Sequence, residues 1–181
     1  MPGQASTLGR IGVEYDRQTR SADALIHYEG SLKLLMKLGD GSGQATTLHN
    51  IGVSYTGQGR YADALVYHER ALALQQKLGN EAAQATVLDT MGKAHEGQGR
   101  TADALSVYER GLRLREKLAD EPGQARTLNS IGLVYVKQGR YADALSFYGR
   151  AIEIADRLGM PERESYRRLR DQMRSQSRPP S

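Results

Sequence analysis

Gly57-Gln58-Gly59-Arg60-Tyr61-Ala62-Asp63-Ala64-Leu65 recurs in near copies at residues 97–105 and 137–145 and, more worn, at 17–25. The register extends well beyond this stretch. Gly12, Gly52, Gly92 and Gly132 are 40 residues apart, as are Leu38, Leu78, Leu118 and Leu158, and Gln4, Gln44, Gln84 and Gln124. A fixed period of this size marks a solenoid, in which each unit buries its apolar face only by stacking on its neighbours.

Inside one period the spacing is helical twice over. Ala45, Leu48, Ile51, Gly52 and Tyr55 fall at steps of three or four, which predicts a helix A over about residues 44–56. Gly57-Gln58-Gly59 supplies a break that tolerates the left-handed conformation where the chain must reverse. Ala64, Leu65, His68, Ala71, Leu72, Gln75 and Leu78 then predict a helix B over about 61–78, with Asp63 in its first turn where the helix dipole favours an acid. Gly79-Asn80 reads as the helix C-cap. Gly52 and Ala64 are expected where helices A and B of one unit approach closely, and Ala71 where helix B meets the following helix A.

The units are unequal. The first replaces the double-glycine turn with Arg17-Gln18-Thr19-Arg20 and has Gly9 inside helix A, as suits a frayed terminal repeat. In the third, His95 stands where the others have Tyr15, Tyr55 and Tyr135. After Gly159-Met160-Pro161 the register fails, and Tyr166, Leu169 and Met173 form a narrow apolar stripe on a charged helix suited to covering the last helix B. The expected organisation is one body over 3–160 with repeats at 3–42, 43–82, 83–122 and 123–160, a capping helix at 161–174 and a disordered tail at 175–181.

Composition removes several functions. The 181 residues include no cysteine, so disulfides, thiolate metal sites and a cysteine nucleophile are excluded. No apolar run approaches the ~20 residues needed to span a bilayer, and the start lacks a signal-peptide stretch, so the chain reads as soluble and cytoplasmic. The net charge is +4, but the segment after Met160 holds six arginines against three acids, leaving the repeat body nearly neutral. A surface that tracks phosphates is basic, so nucleic acid is not the expected partner; the arginines of the last helix read as a solvated face.

Catalytic chemistry finds no purchase. His27, His49, His68 and His95 lack the i, i+4 pairing and neighbouring acid of a zinc site. His27 and His68 read as packing or surface residues of helix B, and His95 as an aromatic substitute in the core. His49 and Asp89 occupy equivalent positions in successive helices A, yet a general-acid site also needs a substrate pocket and a perturbed pKa. Gly39-Asp40-Gly41-Ser42-Gly43 has neither a strand before it nor Gly-Lys-Ser/Thr after it, and reads as an inter-repeat connection. No metal, cofactor or enzymatic role is expected.

The pattern of Leu48, Ile51-Gly52 and Tyr55, followed by Gly59, Tyr61, Ala64, His68 and Ala71, resembles the tetratricopeptide repeat. The departures are leucine at the large aromatic position (Leu8, Leu48, Leu88, Leu128) and the missing late proline of the signature. A period of 40 against the usual ~34 implies longer helices and longer connections, as in the long-repeat variety found in kinesin light chains, cell-polarity scaffolds and bacterial signalling arrays.

The resemblance implies an all-α, right-handed solenoid of four helix-turn-helix repeats plus a C-terminal capping helix, with helices A lining a groove for peptides or partner helices. Carried over position by position, the groove-facing residues are Ser6, Gly9, Arg10 and Val13, then Thr46, His49, Asn50 and Val53. The third repeat contributes Thr86, Asp89, Thr90 and Lys93, and the fourth Arg126, Asn129, Ser130 and Leu133. Asn50 matches an asparagine that long-repeat members use on a ligand backbone. The family's carboxylate clamp is absent, since Gly9, His49, Val13 and Val53 stand where it needs lysine and asparagine. The expected function is thus a scaffold binding a protein or peptide partner. Two alternatives are a sensor or assembly portion of a larger signalling or transcriptional regulator and a module that self-associates through its first repeat.

Overall fold

The computed structural model describes residues 2–176; the expected tail lies outside the described residues from 177 onward. Among the described residues there are nine helices and no strand. They are α1 (Pro2–Arg17), α2 (Ser21–Leu38), α3 (Gly41–Gly57), α4 (Tyr61–Lys77), α5 (Glu81–Gly97), α6 (Thr101–Lys117), α7 (Glu121–Lys137), α8 (Tyr141–Arg157) and α9 (Arg163–Gln176). Odd-numbered α1 to α7 are the helices A and even-numbered α2 to α8 the helices B. The chain divides into two compact units, the first carrying α1 to α5 and the second α6 to α9.

The extra length of the period goes entirely into the helices. Six of the eight repeat helices have 17 residues, and the chain between successive repeats is only two or three residues long, as at Gly39 and Asp40. Longer connections were expected; the reason they are absent is that Asp40, Asn80 and Asp120 start the next helix at once, each accepting a hydrogen bond from a backbone N–H three residues on, at 2.9, 3.1 and 2.9 Å. Asn80 is therefore an N-cap rather than part of a C-cap. For the same reason Gly41, Ser42 and Gly43 are the first turn of α3 and not a connection.

The quoted motif is a hairpin built by one arginine. Gly59 takes the left-handed conformation at φ +72, as do Gly99 and Gly139, and the next residue is the N-cap of helix B. Arg60 lays its guanidinium 4.4 Å from the centre of the Tyr55 ring and donates from Nε to Asp63 at 2.8 Å. Arg20 over Tyr15 with Asp23, and Arg140 over Tyr135 with Asp143, repeat the arrangement. Each helix-A tyrosine also stacks on a helix-B ring: Tyr15 on His27 at 5.1 Å, Tyr55 on Tyr67 at 5.4 Å and Tyr135 on Phe147 at 5.3 Å. His27 is thus a packing residue.

The periodic glycine of helix A faces a ring of helix B. A Cβ on Gly52 would fall 2.5 Å from His68, one on Gly12 2.5 Å from Tyr28, and one on Gly132 2.8 Å from Tyr148. Any side chain there forces the helices apart. The close approach expected of Gly52 is present, and the opposing group is the ring four residues beyond fully buried Ala64. In the first repeat, the position of Ala71 holds Ser31, which donates to Ala5 O of its own helix A at 2.8 Å.

Successive repeats share one recurring bond. The Gln44 amide donates to Leu35 O at 3.2 Å, Gln84 to Gln75 O at 3.2 Å and Gln124 to Arg115 O at 3.3 Å, tying each helix A to the end of the preceding helix B. Below this the core is apolar: Leu48, Ile51, Leu88, Leu128 and Ile131 are all nearly sealed from solvent. On α1 the matching Leu8 and Ile11 are partly open, and exposed Glu14 stands where Ser54, Ala94 and Val134 are buried. In the second unit α9 lies on α8, with Tyr166 joining Ile152, Ala155 and Met160, and Met173 joining Ala144 and Tyr148.

Candidate helix-A binding face

The sequence-derived site residues occupy the solvent side of helices A in a regular pattern. Arg10 on α1, Thr46 on α3, Thr86 and Lys93 on α5, and Arg126 on α7 are exposed. His49 and Asn50, Asp89 and Thr90, and Asn129 and Ser130 are half-buried. The alternation follows from helix geometry: residues three apart share a face, and the inner pair leans toward the neighbouring helix.

Their chemistry differs from position to position. Thr46, Thr86, Thr90 and Ser130 each donate the hydroxyl to a carbonyl of their own helix, at 3.1, 3.2, 2.8 and 3.2 Å. With the hydroxyl hydrogen so used, each of these oxygens keeps only acceptor capacity. Asn50 makes no hydrogen bond to the described residues, and the buried Oδ1 of Asn129 has no partner. His49 Nδ1 is likewise buried without a partner. The His49 ring sits 5.3 Å from that of His68, tilted by 45°. Burial lowers the His49 pKa from the ordinary imidazole value and so favours the neutral ring. His68 is fully enclosed and pushed down to about 3, first by burial and then by His49.

In the first unit part of this face is a cleft of about 1180 Å³ between α1 and α3, floored by the end of α2. It brings together Arg10, Thr46 and Asn50 with Ser6, Gly9 and Val13. His49, Thr86, Asp89, Thr90 and Lys93 lie outside its lining. Sequence reading missed Ser42 and Gly43 as wall residues because their stretch was taken for a connection, and it missed Glu14 and Arg17, which line the cleft one and two turns beyond Arg10. The helical period of α1 was the available signal for the last two. No group of three or more metal-ligating side chains occurs among the described residues, and no helix is long and apolar enough to cross a membrane.

Paired helices with a glycine packed on a ring, an arginine-pinned hairpin and a glutamine tie from one repeat to the next define an all-α solenoid of helical repeats. The chain belongs to the tetratricopeptide repeat family, whose models match residues 43–117 and 90–157 and together span more than half of it. No curated protein matches it in sequence. Among solved structures it is similar to BtubC (BKLC) from P. vanneervenii, with 24% identity and TM-score 0.79 over 86% of this chain and 64% of that one. It is also similar to a Podosopora anserina protein with nearly identical TPR-like repeats, assigned as kinesin light chain, at 15% identity and TM-score 0.80 over 98% and 90% of the two chains. A Rap protein complexed with Competence and Sporulation Factor matches at 17% identity and TM-score 0.78, over 86% of this chain and 43% of that one. The chain thus spans under two thirds of BtubC and under half of the Rap protein.

Proposed function

We propose that the protein is a non-enzymatic interaction scaffold that takes a peptide segment or partner helix along the faces of its helices A. The observation that carries this reading is the Asn50 side-chain amide on α3, which lines the open cleft between α1 and α3 without an internal partner. A side-chain amide open to the cleft can both donate to and accept from a ligand main chain. Because the helices are already packed, binding orders the ligand alone. The Rap relative, solved in complex with Competence and Sporulation Factor, supports the reading by analogy of fold.

The test is affinity capture from a native lysate with the wild-type chain beside an Asn50→Ala, Asp89→Ala, Asn129→Ala variant, with identities read by mass spectrometry. Partners held by the wild type and lost by the variant are the expected result. Partners held equally by both would place recognition elsewhere on the surface.

A further inference from the structure

Gly9 has no packing reason to be glycine. It lies in the middle of α1, its φ is negative, and an added Cβ would meet only Ser31 Oγ at an ordinary 3.6 Å. Gly12, one turn on, is the opposite case, with Tyr28 at 2.5 Å. A helix-interior glycine costs about 1 kcal/mol relative to alanine, so Gly9 holds the chain below the stability it would otherwise have. At the same position the other repeats carry His49, Asp89 and Asn129. Only the first repeat leaves this place empty, and the cleft between α1 and α3 opens there.

The walls and charges of the hollow limit what it takes. Leu35, Ala5 and the α-carbon of Gly43 give it an apolar floor, where the Ser31 hydroxyl is already spent on Ala5 O at 2.8 Å. Of the charged groups on the lining, Glu14 is engaged by Arg17 at 3.7 Å and Gln18 at 3.3 Å, and Asp40 caps the Gly43 N–H at 2.9 Å. Arg10, exposed on the rim, has no ion pair among the described residues.

We propose that this cleft is an anchor subsite for a peptide carrying a bulky apolar side chain and, within one or two residues of it, a carboxylate. The apolar side chain fills the hollow over Gly9. The carboxylate pairs with the Arg10 guanidinium, whose planar fork suits bidentate recognition, while the Asn50 amide bonds the peptide main chain. The inference rests on the helix-A face being the binding surface and adds the chemistry of its ligand.

A phage-displayed library of random twelve-residue peptides, selected on the full chain, tests it directly. Selected peptides are then synthesised and titrated against wild type, Gly9→His, Arg10→Glu and the Asn50→Ala, Asp89→Ala, Asn129→Ala variant, each first checked for native helicity. Gly9→His installs the residue that the second repeat already tolerates, and Arg10→Glu changes an exposed side chain, so both are expected to fold. The expected result is a consensus of one large apolar residue near an acid, at least tenfold weaker binding by Gly9→His, and selection on Arg10→Glu that exchanges the acid for a base. Peptides without that consensus, indifferent to Gly9→His and Arg10→Glu but lost by the triple variant, would overturn the subsite and leave the helix-A face standing. No enrichment, or peptides indifferent to every variant, would overturn both.

Discussion

Lowering the pH from 7 to 5 should destabilise the first unit through His68. This ring has no exposed surface, packs against Gly52, and stands where Tyr28, Tyr108 and Tyr148 stand in the other repeats. Neither of its nitrogens has a hydrogen-bond partner. Burial, and secondarily the neighbouring His49, lowers its pKa from 6.5 to about 3. The folded chain therefore keeps His68 neutral throughout this range, whereas the unfolded chain takes up a proton below pH 6.5. Stability is flat above that value and falls as the pH drops beneath it, at ~1.4 kcal/mol per pH unit, until the folded pKa is approached. Between pH 6.5 and 5 His68 alone accounts for a loss of about 2 kcal/mol. His49, lowered by burial on α3, adds a smaller loss of the same sign. Carboxylates whose pKa values lie low, such as Asp171, act only at more acid pH. Urea unfolding followed by ellipticity at pH 7, 6 and 5 measures the effect, and His68→Phe supplies the comparison: a ring of similar footprint that does not titrate. The variant should keep roughly 2 kcal/mol that the wild type loses. Equal losses in the two proteins would refute the buried, unpartnered assignment of His68.

The hairpins offer further tests. Thr19 and Ala119 adopt φ +59 and +53 at positions where other repeats place glycine, and left-handed geometry costs a side chain roughly 1–2 kcal/mol; Thr19→Gly and Ala119→Gly should each raise stability by about 1 kcal/mol once the entropy of glycine is deducted, read as the urea midpoint. Gly132→Ala places a Cβ 2.8 Å from the Tyr148 ring and should cost about 1–3 kcal/mol by the same assay; an unchanged midpoint would mean the ring moves freely. A double-mutant cycle on Tyr55→Leu and Arg60→Ala should return a coupling of about 0.5–1 kcal/mol, and additive effects would dismiss the stacking.

Much of this architecture could be read from the period. The two helical stripes, the reversal at Gly59 and the apolar face of α9 all follow from spacing, because backbone periodicity is a one-dimensional signal. What escaped is what depends on a second chain segment. Asp63 was assigned to the helix dipole, yet it holds Arg60, which in turn covers Tyr55. Gly57, Gly97 and Lys137 share one place in the period, but only Gly97 lies under a tyrosine, Tyr61, where a Cβ would overlap the ring. The matching Ser21 and Thr101 are small, which accounts for the open space beside Gly57 and the tolerance of Lys137. Asn80 and Asp40 were misplaced because glycine before them ends one helix while their own side chains begin the next. The site shows the same division: Arg10, Thr46 and Asn50 were found by carrying positions across repeats, but the cleft depends on the missing side chain of Gly9 and on Ser42 and Gly43 opposite it.

The most direct measurement is hydrogen–deuterium exchange by mass spectrometry on the full chain with and without a peptide from the twelve-residue selection. Binding along the faces of helices A should slow exchange in α1 and α3, strongest around Gly9 to Val13 and Thr46 to Asn50, with a smaller effect at the end of α2 that floors the cleft, while α4 and α9 change little. Protection concentrated on α2, α4 or the arginine-bearing α9, with α1 and α3 unaltered, would contradict a helix-A binding face.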